Sequence, residues 1–242
     1  VLPAAAFNTT DGNDDYLTIV GTNSGSGNVL LNDSDPEDDH QTVTPLNIAN
    51  ASGTLVLNAD GSYVYTPAAG FIGPVSFVYQ VCDDQSPSAC DFATLHILIK
   101  NAPDLAPTIT VTPSVMHGIT TFNTTVRVTE LNMEPTEGLI TIRIPKDNRV
   151  AFTYNPAATM IGFTVVNNNV WTYDNSNPFF HLFTSNAIIP AGTFTTFGFV
   201  SQFNPLNSSG IYTISATISS GSGSEVRSDN NTDAESIDYF NN

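Results

Sequence analysis

Val75-Ser76-Phe77-Val78-Tyr79-Gln80-Val81 decides the fold class. Val75, Phe77, Tyr79 and Val81 alternate with Ser76 and Gln80, the period-two pattern of a strand with one face buried and the other in water. The same alternation recurs in Ile140, Ile142 and Ile144, spaced by Thr141 and Arg143. It recurs again in Tyr212, Ile214, Ala216 and Ile218, spaced by Thr213, Ser215 and Thr217. No segment sustains a helical period, and turn signals recur every 8–12 residues or so, which suggests sandwiches. The pattern predicts an all-β chain of two tandem immunoglobulin-like β-sandwich domains.

Residues 1–100 yield seven expected strands, at about 16–20, 28–31, 41–48, 53–57, 62–66, 74–81 and 92–99. The fourth and fifth are joined through Asn58-Ala59-Asp60-Gly61-Ser62, where Asp60-Gly61 is a strong hairpin signal. Asn101-Ala102-Pro103-Asp104-Leu105-Ala106-Pro107 follows, and its two prolines favour extended, stiff backbone. The boundary belongs there, giving domains 1–102 and 103–242. Residues 107–240 yield eight or nine further strands, with Asn167-Asn168-Asn169 and Pro190-Ala191-Gly192 as connections.

Of the 242 residues only 12% are charged, yet the net charge is −17. Nucleic acid is a poor partner and is not expected, since no basic face exists to neutralise phosphates, and an anionic membrane is disfavoured by the same repulsion. Hydrophobic content is 40%, with 15 Phe and 8 Tyr, enough for a packed core. No apolar run approaches the length of a membrane span, so direct membrane insertion is not expected. Cys82 and Cys90 lie close together with no zinc-ligand set and no C-x-x-C nearby. A local disulfide is the preferred reading, implying an oxidising compartment; the alternative is two unpaired thiols flanking one loop. The chain begins at Val1 without initiator Met or signal peptide, and reads as a piece of a longer exported protein.

The acids are not spread evenly. Asn32-Asp33-Ser34-Asp35-Pro36-Glu37-Asp38-Asp39 places five carboxylates within seven residues. Such crowding is tolerated if the loop is fully solvated or if a hard cation gathers the oxygens. Residues 1–100 hold 12 acids and one base, Lys100. When the seven strands are folded as an immunoglobulin-like sandwich, Asp11, Asp14, Asp15, Asp33, Asp35, Glu37, Asp38, Asp39, Asp60, Asp83, Asp84 and Asp91 all fall at one pole and Lys100 at the other. Many flexible oxygens suit Ca²⁺ better than the compact octahedron of Mg²⁺. Zinc and iron lack a His or thiolate cluster.

These residues carry a resemblance. Asp14-Asp15-Tyr16, Gly27-Asn28-Val29-Leu30-Leu31-Asn32-Asp33-Ser34-Asp35-Pro36 and Gly53-Thr54-Leu55-Val56-Leu57-Asn58-Ala59-Asp60-Gly61-Ser62-Tyr63-Val64-Tyr65-Thr66-Pro67 resemble bacterial cadherin-like calcium-binding repeats of large surface adhesins. Gly70-Phe71-Ile72-Gly73, Phe77-Val78-Tyr79 and Val81-Cys82-Asp83 complete the pattern. That family usually has Gly where Asp38 stands, which bears on the loop path, and often Asp where Val75 stands, which removes one polar contact. The resemblance implies Ca²⁺ held by Asp14, Asp15, Asp33, Asp35, Asp39 and Asp83, with Glu37 a further ligand. Pro103-Asp104-Leu105-Ala106-Pro107-Thr108-Ile109 and Asp229-Asn230-Asn231-Thr232-Asp233-Ala234 more weakly resemble immunoglobulin-like repeats beside such modules in secreted bacterial proteins. The pair is similar to Bacteroidetes-type surface proteins, including gliding-motility adhesins.

Enzyme motifs are absent: no G-x-S-x-G, H-E-x-x-H, G-K-[ST] or phosphate-binding glycine fingerprint. His40, His96, His117 and His181 are scattered. His96 is expected to face solvent and His181 to sit in or beside a core. Glu130, Glu134 and Glu137 read as a solvated loop rather than glycosidase carboxylates. Asp229–Asp233 reads as a turn or a second cation loop. Trp171 reads as a core residue; exposed in an aromatic groove, it would instead favour a carbohydrate-binding module of a secreted polysaccharide-degrading enzyme. The expected function is non-catalytic: a calcium-stiffened stalk or adhesion module of a bacterial surface adhesin. Its expected partners are neighbouring repeat domains of the same polypeptide, and a surface polysaccharide or another cell-surface protein.

Overall fold

The structure, a computed structural model, describes residues 8–21 and 23–241. Residues 1–7 of the first expected domain lie outside the described set. The chain divides into two units, Val1–Asn101 and Ala102–Asn242. Ala102 goes with the second unit, where it is buried and its carbonyl accepts from Asn132 Nδ2 at 2.7 Å.

Among the described residues the first unit has eight strands: β1 (Asp15–Val20), β2 (Gly25–Asn28), β3 (Thr42–Val43), β4 (Leu46–Asn50), β5 (Gly53–Leu57), β6 (Ser62–Pro67), β7 (Gly73–Cys82) and β8 (Cys90–Lys100). They form two sheets, β1-β8-β7-β3 and β2-β6-β5-β4. β1 runs parallel to β8, and all other neighbours are antiparallel. Phe77, Tyr79 and Val81 of β7 and Leu95, Ile97 and Ile99 of β8 face Leu55, Leu57, Tyr63 and Tyr65 of the other sheet in one apolar cluster. Each such side chain contributes about 1.5–3 kcal/mol when fully buried.

Two expected strands differ from the structure. The apolar run Val29-Leu30-Leu31 is not a strand; the strand is the preceding Gly25–Asn28. A Cβ at Gly25 would lie 2.7 Å from Leu17 Cδ2, and one at Gly27 would lie 2.7 Å from the Tyr63 hydroxyl. Other side chains thus fill the space above this strand, which is why it lacks the usual strand residues. The expected strand 41–48 is two strands in different sheets, with Pro45 between them. Proline has no N–H for a ladder, and the chain changes sheet there.

The second unit is a sandwich of twelve strands: β9 (Leu105–Thr112), β10 (Val115–His117), β11 (Thr120–Glu130), β12 (Ile140–Pro145), β13 (Val150–Thr153), β14 (Met160–Ile161), β15 (Thr164–Val165), β16 (Thr172–Asp174), β17 (Phe180–Ser185), β18 (Phe194–Phe203), β19 (Gly210–Ile218) and β20 (Thr232–Phe240). One sheet is β10-β20-β19-β12-β17-β16 and the other β13-β18-β11-β9, with β14-β15 a separate hairpin. The core between the sheets is aromatic: Phe183 lies 4.4 Å from Phe197, and Trp171 lies 4.7 Å from Phe197, between ring centroids. Among the described residues no helix is long and apolar enough to cross a membrane.

Candidate metal centre

Strand direction gathers the acids of the first unit. β5 runs into the turn 58–61 and β7 into the loop 83–89, while β1 and β8 both start at that end. The segment 29–41 lies there too, between the end of β2 and the start of β3. Lys100 ends β8 at the far pole. The loops are tied together by hydrogen bonds: Asp11 N–H to Ser34 O at 2.9 Å, Ser34 N–H to Asp11 O at 3.1 Å, and Gln85 Nε2 to Asp39 Oδ1 at 2.6 Å. Asp60 shapes its own turn, accepting from the N–H and hydroxyl of Ser62 at 3.1 and 2.6 Å.

Asp35, Asp39 and Asp83 converge, each presenting a carboxylate oxygen within 4.8 Å of the other two. Oxygens around one Ca²⁺ at about 2.3–2.6 Å fall in this range of mutual separation. Asp35 Oδ1 accepts from the N–H groups of Glu37 and Asp39 at 2.9 and 3.2 Å. Those bonds fold the loop back so that Asp39 stands beside Asp35. Asp38, where the resembled family has Gly, takes φ 64°. Asp is one of the few residues that tolerates this left-handed backbone, so the turn keeps a glycine-like conformation without glycine. Burial pushes the Asp83 carboxyl up, but hydrogen bonds from the Gln85 and Ala89 N–H groups outweigh it and hold it low.

A second group of acids adjoins Tyr79. Its hydroxyl donates to Asp15 Oδ2 at 2.7 Å, and Asn13 N–H donates to Asp33 Oδ1 at 2.6 Å. Gly12 N–H binds Asp91 Oδ2 at 3.1 Å. Burial, followed by the charges of Asp15 and Asp91, pushes the Asp33 carboxyl up to about 6 against the bond from Asn13. Asp15 is raised by burial and Asp14, opposed by the Tyr79 hydroxyl. Asp91 lay at the expected pole but outside the expected ligand set. Its position on β8 beside a cysteine gave no ligand signal.

The remaining expected ligands are placed differently. Asp14 turns along β8, accepting from Thr94 N–H at 2.7 Å with His96 Nε2 at 3.5 Å. Glu37 is exposed and binds the N–H and hydroxyl of Thr9, both at 3.1 Å. Cys82 and Cys90 are directly opposite on β7 and β8 and form a disulfide, closing the loop that carries Asp83.

The acid set fits a hard cation. Asp33 Oδ2 and Asp35 Oδ2 are buried without a hydrogen-bond partner among the described residues. Both sulfurs of the unit are bonded to each other, and no His side chain joins the Asp35–Asp39–Asp83 group. Oxygen-only donors suit Ca²⁺ rather than a soft metal.

In the second unit Trp171 is 3% exposed and packs on Phe197, so it offers no platform to a sugar. His181 is buried, stacked on Phe152 at 4.0 Å and bonded to the Tyr173 hydroxyl at 2.8 Å. Glu130 does not lie in a solvated loop. It ends β11 buried, and its carboxylate accepts from the N–H groups of Asn132 and Gly192, both at 2.7 Å. Asp229 pairs with Arg227 at 2.6 Å, and Asp233 accepts from Ile109 N–H at 2.8 Å.

Residues 3–101 match the family of the bacterial cadherin-like domain. No curated protein matches the chain. Among solved structures, the CARDB domain of a Pyrococcus furiosus protein in complex with di-metal ions is 15% identical, with a TM-score of 0.37 over 57% of this chain and 90% of that one. The major pilin SpaD from Corynebacterium diphtheriae is 9% identical, with a TM-score of 0.41 over 96% of this chain and 64% of that one. Protocadherin gamma B7 cadherin domains 1–4 are 13% identical, with a TM-score of 0.31 over 96% of this chain and 49% of that one.

Proposed function

We propose that the chain is a non-catalytic extracellular segment of a bacterial surface adhesin of Bacteroidetes type, a stalk or adhesion module stiffened by calcium in its first unit. The observation that carries this reading is the convergence of Asp35, Asp39 and Asp83, with the unpartnered buried oxygens of Asp33 and Asp35. Two carboxylates at the 4.8 Å limit of this cluster repel by about 3 kcal/mol at an effective dielectric of about 20. Without a cation this repulsion loosens the loops of the pole. With Ca²⁺, Asp35, Asp39 and Asp83 would hold the ion, while Asp15, Asp33 and Asp91 form a second acidic group at the same pole. The disulfide supports an oxidising, extracellular setting, and the partners are neighbouring repeats of the same polypeptide.

Thermal unfolding in calcium and in EDTA tests the reading. Extracellular modules bind calcium at about 10⁻⁴ to 10⁻³ M, and calcium at about 100 times Kd adds about 2.7 kcal/mol. The first unit should melt higher in calcium than in EDTA. An unchanged melting temperature would refute calcium binding.

A further inference from the structure

On the outward face of the sheet β13-β18-β11-β9 lies a groove of about 500 Å³, lined by Thr108, Thr110, Thr125, Arg127, Thr196 and Phe194 with Phe163 and its hairpin as a wall. Strand register builds the floor. Thr110 and Thr125 pair in one row with Gly198, and Thr108 and Arg127 pair in the next with Thr196. Outward positions of adjacent strands therefore form a patch of hydroxyls around one guanidinium. The β14-β15 hairpin makes the wall by lying on Gly198, where a Cβ would meet Ile161 Cγ1 at 2.9 Å and Thr124 O at 2.8 Å. Gly162 takes φ 58° at the turn and leaves Phe163 at the tip, wholly exposed. Phe194 lies at the other end, with the Arg127 guanidinium 3.7 Å from its ring centroid.

Three properties define the ligand. The floor offers hydroxyls that donate and accept, as a polyol does. Phe163, wholly exposed, offers a flat apolar face beside it, which suits the C–H face of a sugar ring. The only charge in the groove is Arg127, in a chain with 23 acidic and 6 basic residues. No carboxylate pairs with Arg127 among the described residues. Stacking on Phe194 leaves its planar fork of donors available to an anion. The volume lies in the range of ordinary ligand sites.

We infer that this groove binds an acidic saccharide, with a uronate or sulfate group on Arg127 and a sugar ring against Phe163. The inference gives the adhesive reading a ligand class but does not rest on calcium binding.

Titration of the whole chain with trigalacturonate, a chondroitin sulfate hexasaccharide and neutral cellotriose, all in EDTA so that calcium cannot bridge, tests it. At least one acidic probe should bind tenfold or more tightly than cellotriose, and which one binds distinguishes carboxylate from sulfate. Arg127→Gln and Phe163→Ala, both at exposed positions, should each weaken binding at least tenfold. Phe179→Ala, exposed outside this groove, should leave it unchanged. Raising salt from about 0.05 to 0.5 M should weaken it several-fold. No acidic probe binding at millimolar concentration would overturn the site. Binding that survives both Arg127→Gln and Phe163→Ala, or cellotriose binding as tightly as the acidic probes, would overturn it too. Self-association of the chain lost in Phe163→Ala would assign the groove to a second copy instead.

Discussion

A carboxylic acid buried away from any base favours its protonated form. Glu225 is 4% exposed, and burial, followed by the Asp104 charge, pushes it up to about 7 against bonds from Asn231 and Leu105 N–H. Its folded value lies above its ordinary one, so the folded state binds more protons, and this contribution falls as pH rises through about 5 to 7. His181 has the opposite slope. Burial, then Lys146, depresses it to about 4, so its contribution is lost as pH falls from about 6.5 towards 4. In Glu225→Gln the first slope should vanish, leaving second-unit stability rising with pH from about 4 to 6.5, as urea midpoints across that range would show. A fall with pH in the variant would contradict this assignment. Asn168 is equally local. It is fully buried, donating to Gly198 O at 2.8 Å and Asn155 O at 2.9 Å, and accepting from Gly198 N–H at 2.9 Å. Its amide stands in for a neighbouring strand where β18 runs past the residues paired with β13, and Asn168→Ala should cost about 2–4 kcal/mol in urea unfolding. In the sequence this residue is one of three consecutive Asn, and reads only as a connection. The Asp38 turn was also hidden, because its left-handed backbone is set by the Asp35 carboxylate rather than by a glycine.

Where a strand has one face in the core and one in water, its pattern is readable, as in β7, β12 and β19. Their inward residues Tyr79, Ile142 and Ile214 are buried at alternating positions. Where tertiary contacts replace that condition, the pattern fails. β2 is Gly-Ser-Gly-Asn because Leu17, Ile19 and Tyr63 occupy the space its side chains would need. The short strands β14 and β15 carry Met160, Phe163 and Val165 exposed around their turn, so apolar content there does not signal a core. The acidic pole was legible because loop order and strand reversal suffice to gather it. Asp35, Asp39 and Asp83 all stand in the set that the resemblance implied, but that these three converge while Asp14 turns along β8 depends on side-chain directions that loop sequence does not set. The β7-β8 connection carries a prediction of its own. With eight residues of separation between Cys82 and Cys90, the chain-entropy model gives about 2.5 kcal/mol for the bond. The double variant Cys82→Ala and Cys90→Ala should lose roughly that amount and bind calcium more weakly, since Asp83 sits in the loop the bond closes. Calcium affinity equal to wild type would show that the loop is held by its hydrogen bonds alone.

Each unit has its own apolar cluster, one built around Leu95, Ile97 and Tyr65 and the other around Phe183, Phe197 and Ile142. The acids are divided unevenly in the same way: residues 1–100 carry a net charge of −11 and the remainder −6. Separate cores predict two calorimetric transitions, assignable by substitution. Leu95→Ala should lower one by about 2–5 kcal/mol, and Phe183→Ala should lower the other by about 3–5 kcal/mol. Calcium should raise only the transition that Leu95→Ala lowers, because the convergent oxygens lie in that unit. Replacing Asp33 and Asp35 together with Asn should abolish the rise in calcium and raise stability in EDTA, since the amides relieve repulsion in the empty cluster. The paired signs matter: a general structural defect would lower stability in both buffers, whereas removal of ligands separates them. If calcium instead raised the transition that Phe183→Ala lowers, the cation site would belong to the second unit, and the Asp35–Asp39–Asp83 group would be a solvated acidic face.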